Sequence, residues 1–304
     1  MDSTILVVGS VALDSVKTPF GQADEVLGGS ATYFSVAASF FSQIRVVAVV
    51  GTDFSDDHSA MFKRHNIDTD GLVRTDGRTF RWKGEYSYDL NEAQTLDTQL
   101  NVFESFKPTI PASYKSSDYV FLGNIDPELQ LQVLEQIEQP RVVACDTMNF
   151  WIDSKVDELK KTLGRVDILL INDGETRMLA GEANLVRAAH KIMAMGPRIL
   201  IVKRGEYGVL MFNENSIFGA PAFPLEEVYD PTGAGDSFAG GFMGYLAQAG
   251  ELTDDVLRRA IIFGSVMASF NVEQFSLDGL SKLSRTDIDT RFGQFKKLTH
   301  FEAL

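Results

Sequence analysis

Six short runs of apolar and β-branched residues recur along this chain: Ile5–Val8, Arg45–Val50, Tyr119–Leu122, Arg141–Cys145, Asp167–Ile171 and Arg198–Val202. Most of the stretches between them carry apolar residues at helical spacing. Strand alternating with helix implies a parallel sheet covered on both faces. The pattern therefore predicts a doubly wound α/β fold with a mostly parallel central sheet and helices on both sides. At 304 residues the chain has room for one large α/β domain or two small ones. No internal repeat, low-complexity tract or linker rich in Pro, Gly and Ser marks a boundary, so one domain spanning 1–304 is expected.

One segment breaks the rhythm. From Thr79 to Tyr88, aromatic and polar residues alternate with period two, Asp89-Leu90-Asn91-Glu92 follows as a turn, and Ala93 to Val102 is the candidate return strand. This reads as a half-exposed hairpin inserted into the α/β pattern, so a small β appendage is expected, built from about 13–27 and 74–106.

Charge narrows the possible partners. The formal net charge of −14 opposes non-specific binding to nucleic acid or to an anionic membrane surface, and neither is expected as a partner. An anionic substrate would need locally placed donors, which directs attention to glycine-rich helix starts. The single cysteine, Cys145, lies in the apolar run Val142-Val143-Ala144-Cys145 and reads as a buried strand residue in a reducing compartment. The apolar start Ile5-Leu6-Val7-Val8 is too short for a signal sequence or a membrane span and lacks a basic flank. A cytoplasmic location is expected.

The most informative stretch is Asp230-Pro231-Thr232-Gly233-Ala234-Gly235-Asp236-Ser237-Phe238. Downstream, Phe238, Phe242, Tyr245 and Leu246 recur at helical spacing, which predicts a helix beginning between Ala234 and Asp236. At such a helix start, free N–H groups and the positive end of the helix dipole can hold a phosphate if no side chain blocks approach. Gly233, Ala234 and Gly235 meet that need. The same dipole keeps Asp236 ionised at neutral pH, able to accept a proton from an alcohol. A helix cap with a glycine turn explains the same residues without chemistry. Neither G-x-x-x-x-G-K-[ST] nor G-x-G-x-x-G describes the segment.

This segment resembles the Asp-Thr-Thr-Gly-Ala-Gly-Asp signature of the ribokinase-like (PfkB) carbohydrate kinase family, with Pro231 replacing the first Thr. The resemblance extends over essentially the whole chain. It implies a ribokinase-like fold, Asp236 as catalytic base, and Gly233, Ala234 and Gly235 as an anion hole for the transferred phosphoryl group. Gly28-Gly29 before the helical run from Ala31 is similar to the family's N-terminal Gly-Gly signature, whose glycines let substrate hydroxyls approach the backbone. Tyr33 stands where relatives commonly carry Asn, and Asp14 resembles the family's substrate-binding Asp. A carboxylate can bridge two vicinal hydroxyls.

The resemblance also implies a nucleotide side. Asn172-Asp173-Gly174-Glu175 looks like the family's Asn-x-x-Glu element, with Glu175 placing Mg²⁺ through water. Lys203, Arg204 and Gly205 follow a strand where the family contacts ATP, and Gly264, Ser265, Ala268 and Asn271 fall in a stretch similar to its adenine-side helix. Asp230 and Thr232, with carbonyls near Glu273 to Gly279, resemble a monovalent-cation loop, implying K⁺. The aromatic hairpin with Trp82, Tyr86 and Tyr88 corresponds to the family's β lid, which excludes water and often pairs two protomers into a homodimer. The expected activity is ATP-dependent transfer of the γ-phosphoryl group to the hydroxymethyl group of a small sugar. A nucleoside offers the same hydroxyl pattern, and a non-catalytic nucleotide- or sugar-binding regulator is the alternative from another class.

Overall fold

The computed structural model describes residues 3–300. The N-terminal part comprises β1 (Thr4–Val8), β2 (Ala12–Thr18), β3 (Gly21–Gly28), α1 (Ser30–Ala38), β4 (Gln43–Val50), α2 (Asp56–Arg64) and β5 (Asp68–Arg74). Next come β6 (Phe80–Tyr86), β7 (Ala93–Gln99), β8 (Tyr119–Leu122), α3 (Pro127–Leu134), β9 (Val142–Asp146), α4 (Asn149–Ser154) and α5 (Val156–Leu163). Then follow β10 (Ile168–Asn172), α6 (Asp173–Ala180), α7 (Leu185–Met193), β11 (Ile199–Lys203), β12 (Val209–Phe212) and β13 (Ile217–Ala220). Three helices complete the described chain: α8 (Ala234–Ala249), α9 (Asp254–Asn271) and α10 (Arg285–Thr299).

The nine-stranded main sheet has the order β13-β12-β11-β10-β9-β8-β1-β4-β5. It is parallel from β11 to β5, with β12 and β13 added antiparallel at one edge. Strand β1 shows why its runs are continuous rather than alternating. Ile5 and Val7 enter one buried cluster, with residues of α1, α8 and α9, while Leu6 and Val8 enter another, with residues of α3, α5 and α7. A strand buried on both faces has no position left for a polar residue. Cys145 belongs to the second cluster as a free, buried thiol, as expected. Among the described residues no helix is long and apolar enough to cross a membrane.

All six expected strands are present, displaced by a residue or two, and α8 begins at Ala234 within the expected interval. Strands β5, β12 and β13 were not expected. The second sheet has the order β3-β2-β6-β7, with β2 and β3 in the stretch 12–28 and β6 and β7 in 80–99. The hairpin itself pairs as expected, with Tyr86 opposite Ala93.

This small sheet has two different faces. Outward point Lys17, Lys83, Glu85 and Asp97, and Lys17 Nζ meets Glu85 Oε1 at 2.7 Å. On the opposite face lie Asp14, Val16 and Thr18 of β2 with Trp82, Gly84 and Tyr86 of β6. That face looks toward the main body, because Thr18 Oγ1 donates to the Tyr229 carbonyl at 2.9 Å and the hydroxyls of Tyr86 and Thr232 are 3.3 Å apart. The sheet thus forms a lid whose inner face covers the loop before α8.

Candidate active site

The carboxyl ends of three neighbouring strands converge below this lid. Asp146 ends β9, Asn172 ends β10 and Lys203 ends β11, the arrangement by which open parallel sheets build a crevice. Facing them is the start of α8. Gly233 caps it in the left-handed region (φ 76°), a conformation open to glycine at little cost, and no side chain caps the first turn. The Ala234 N–H is engaged by the Pro231 carbonyl at 3.1 Å. A side chain at Gly235 would place its Cβ 2.9 Å from Lys203 Nζ, so the glycine leaves an open approach between the helix start and the ammonium.

Asp236 sits in that first turn, half-buried. Burial pushes its pKa up to about 7; the negative charge of Asp146 adds to the rise, and Lys203 opposes it. The expected helix-dipole effect, a fully ionised carboxylate at neutral pH, is thus outweighed, and Asp236 is poised near neutrality instead. Lys203 Nζ donates to Asp146 Oδ2 at 2.8 Å. Burial disfavours its charge, but Asp146, Glu175 and Asp236 outweigh burial and hold Lys203 above the usual lysine range. Glu175 completes a capping box with Asn172: its N–H donates to Asn172 Oδ1 at 2.7 Å, and its Oε2 accepts from the Asn172 N–H at 2.9 Å. Burial raises Glu175 to about 7, with Asp146 adding and Lys203 opposing. One ammonium therefore sits among three carboxylates.

The acceptor side is formed by β2, α1 and β6. Asp14 lies within β2, not in a surface loop, and is 4% exposed. Burial drives its pKa to about 7, the Gly29 N–H lowers it, and Asp230 and Asp236 raise it again. Gly28 makes room for this carboxylate, since a Cβ there would lie 1.9 Å from Asp14 Oδ2. Gly29 caps α1, whose start is fixed by reciprocal bonds: Ser10 N–H to Ser30 Oγ at 3.1 Å and Ser30 N–H to Ser10 Oγ at 3.0 Å. Tyr33 packs its ring against Gly233, where a Cβ would come within 2.4 Å, and it is 1% exposed. Its hydroxyl has no hydrogen-bond partner. Burial raises the phenol well above its ordinary range, as do the charges of Asp14, Asp230 and Asp236. A buried, unpartnered donor beside a buried carboxylate fits a ligand that supplies hydroxyl groups.

The structure gives several of the expected site residues partners within the protein. Asn271 is fully buried, accepting from Ser237 Oγ at 3.0 Å and donating to the Thr232 carbonyl at 2.7 Å, so it braces the loop from behind and presents nothing to a nucleotide. Gly264 lies between α8 and α9, where a Cβ would be 2.8 Å from the Phe238 carbonyl, so it serves helix packing. Asp230 accepts the N–H groups of Thr232 at 2.9 Å and Ser276 at 3.3 Å, and the Thr232 carbonyl accepts from Asn271. Arg204 is turned onto the Tyr207 ring, 6.0 Å from its centroid. Gly205 is reached by the turn at the tip of the small sheet: a Cβ there would be 2.9 Å from Asn91 Oδ1. Sequence reasoning missed Asp146, whose signal was an acidic residue closing the run Val142–Cys145, and did not assign Tyr86 a place over the loop.

Among the described residues no group of three or more His, Cys, Asp or Glu is arranged to hold a metal ion. The donor set fits Mg²⁺ held through water by Glu175, since this ion keeps most of its waters and needs few protein carboxylates. The open approach at Gly235 beside Lys203 fits a nucleotide phosphate.

Several known proteins resemble this chain. The chain is 28% identical over 247 residues to the cytidine kinase of Thermococcus kodakarensis, covering 79% of this chain and 87% of that protein. It is 23% identical over 279 residues to the inositol 3-kinase of Arabidopsis thaliana, covering 88% and 74%. The structure of ribokinase from Giardia lamblia superposes with a TM-score of 0.81 over 97% of this chain and 100% of that one, at 17% identity, which shows the shared fold. Residues 3–282 match the pattern of the pfkB family of carbohydrate kinases. The chain belongs to that family, and so to the phosphotransferases with alcohol acceptors.

Proposed function

We propose that this protein is an ATP-dependent kinase that phosphorylates the hydroxymethyl group of a small sugar ring, with Asp236 as general base. The observation that carries the reading is the position of Asp236: its pKa pushed up to about 7, in a first turn that no side chain caps, and close enough to feel the charges of both Asp14 and Lys203. Asp14 and the Tyr33 hydroxyl hold ring hydroxyls of the acceptor, which leaves the hydroxymethyl oxygen facing Asp236. Asp236 takes the proton from that oxygen as it attacks. The N–H groups at the start of α8 stabilise charge on the phosphoryl group in transit, and Lys203, oriented by Asp146, neutralises the nucleotide phosphates. Magnesium, held by Glu175 through water, supplies further positive charge to those phosphates. The lid keeps water from competing with the acceptor.

A ribose carried on a base offers the same hydroxyls to the same residues, and the likeness to a cytidine kinase favours that second reading. A homodimer through the lids belongs to the same proposal; its support is that β7 is exposed along its whole length, leaving a sheet edge to be covered. Release of ADP measured against a panel of sugars, polyols and nucleosides tests the activity. Asp236→Asn is expected to lower kcat by about 10²–10⁴ with little change in nucleotide affinity. Retention of most of the turnover would reduce Asp236 to a helix residue, and no ADP with any acceptor would leave a binding protein.

A further inference from the structure

Gly84 stands in the middle of β6, where a glycine weakens a strand. Its structural reason is Trp82. The six-membered ring of the indole lies over Gly84, and any Cβ there would come 2.2 Å from Cη2 and 2.4 Å from Cζ2. Trp82 Nε1 donates to Thr95 Oγ1 at 3.2 Å, which fixes the ring along the sheet. Among the described residues the indole stacks on no other aromatic ring, and it is half-buried, so part of its surface is uncovered.

The direction of that surface follows from register. Trp82 is paired with Asp14 on the parallel strand β2, and paired residues share a face. Tyr86, two pleats further along β6, reaches Thr232 from that same face. The indole therefore lies on the inner face of the lid, one strand away from the carboxylate that receives ring hydroxyls. The C–H face of a free sugar ring can rest on an indole, but a nucleoside adds a flat base whose whole π-face can stack there.

Resting on the kinase reading above, we infer that Trp82 is a stacking platform for the base of the acceptor, so that the acceptor is a nucleoside. Stacking is tolerant of base identity because every base has a π-face. The platform therefore selects base-bearing acceptors over free sugars, without choosing strongly among bases. The competing explanation is that Trp82 merely shields Gly84 and stabilises the sheet.

The test compares wild type, Trp82→Leu and Trp82→Phe with cytidine, adenosine and D-ribose as acceptors, alongside Tm. The inference expects Trp82→Leu to lower kcat/KM for both nucleosides by about tenfold or more, to change D-ribose by less than about twofold, and to leave KM for ATP unaltered. Trp82→Phe should fall between. A lowered Tm with an unchanged ratio of nucleoside to ribose activity overturns it, as does wild-type preference for D-ribose. Should no acceptor release ADP, the kinase reading fails and calorimetric titration of cytidine decides the platform alone: binding lost in Trp82→Leu supports it, and absence of binding to wild type overturns it. If Trp82→Leu does not fold, quenching of wild-type fluorescence by cytidine that disappears in Trp82→Phe supports the platform, and quenching that persists overturns it.

Discussion

Asp14 carries a measurable energetic burden in the absence of its ligand. Burial moves its pKa from 3.8 to about 7, so the native state binds this proton more tightly than the unfolded chain does. Between those two values the native state holds the extra proton, and stability falls as pH rises through the window. A gap of about three pH units, at about 1.36 kcal/mol each, makes the ionised group cost on the order of 4 kcal/mol above pH 7. Below about pH 4 the cost vanishes, because the group is neutral in both states. Asp14→Asn keeps the shape and an acceptor for the Gly29 N–H while removing the charge. Its new amide donors, where unpartnered, cost about 1–3 kcal/mol at every pH, so the slope with pH carries the test rather than the absolute stability. Urea unfolding across roughly pH 4 to 8 should show the variant gaining on wild type by about 4 kcal/mol from the acid to the alkaline end. Parallel profiles for the two proteins would refute the buried-charge argument. The same variant should lose acceptor affinity, because the carboxylate that burial penalises is the group hydroxyl donors would satisfy.

Two further outcomes follow from the site. Lys203→Met removes the positive charge that opposes the rise of Asp236, so the acid limb of kcat/KM, set by loss of the unprotonated base and lying near pH 7, should move to higher pH; a limb that stays in place would separate Lys203 from Asp236. Tyr33→Phe deletes a buried hydroxyl without a partner, so it should raise stability by about 1–3 kcal/mol while lowering kcat/KM for the acceptor about tenfold at constant KM for ATP. Lost stability with unchanged acceptor kinetics would place Tyr33 in the core alone.

The legible parts of the fold were those where burial writes itself into composition. Strands β1, β4 and β8 to β11 are covered on both faces and appear as unbroken apolar runs. Strand β5 carries Gly71 and four polar residues, DTDGLVR, and β12 and β13 are four residues each, so none offers a run long enough to stand out. In the site, the glycine loop was legible because an unobstructed helix start demands small residues at consecutive positions. Asp146 was not, since an acid at the end of a strand looks the same whether it faces solvent or a lysine from the strand two places away in the sheet. Gly264 and Asn271 show the converse failure. Their residue types suit a nucleotide pocket, but only the packing of α8 on α9 reveals that both point inward. Tyr33 was read as a departure from its relatives, and its dual role as packing ring and unpartnered hydroxyl needed the position of Gly233 to become visible.

The loop before α8 is held from the lid side at three places: Thr18 on the Tyr229 carbonyl, Tyr86 on Thr232, and Ser276, which binds Asp230 and also donates to the Leu27 carbonyl at 2.6 Å. On the proposed function, substrate choice and chemical activation are not separate modules in this chain. A change that breaks one of these bonds to admit a new acceptor would also loosen the loop proposed to catch the phosphoryl group, so specificity broadened in that way should come with slower turnover. Conversely, whatever lifts the lid would disarm the loop, and the nucleotide would be protected from idle hydrolysis without a dedicated switch.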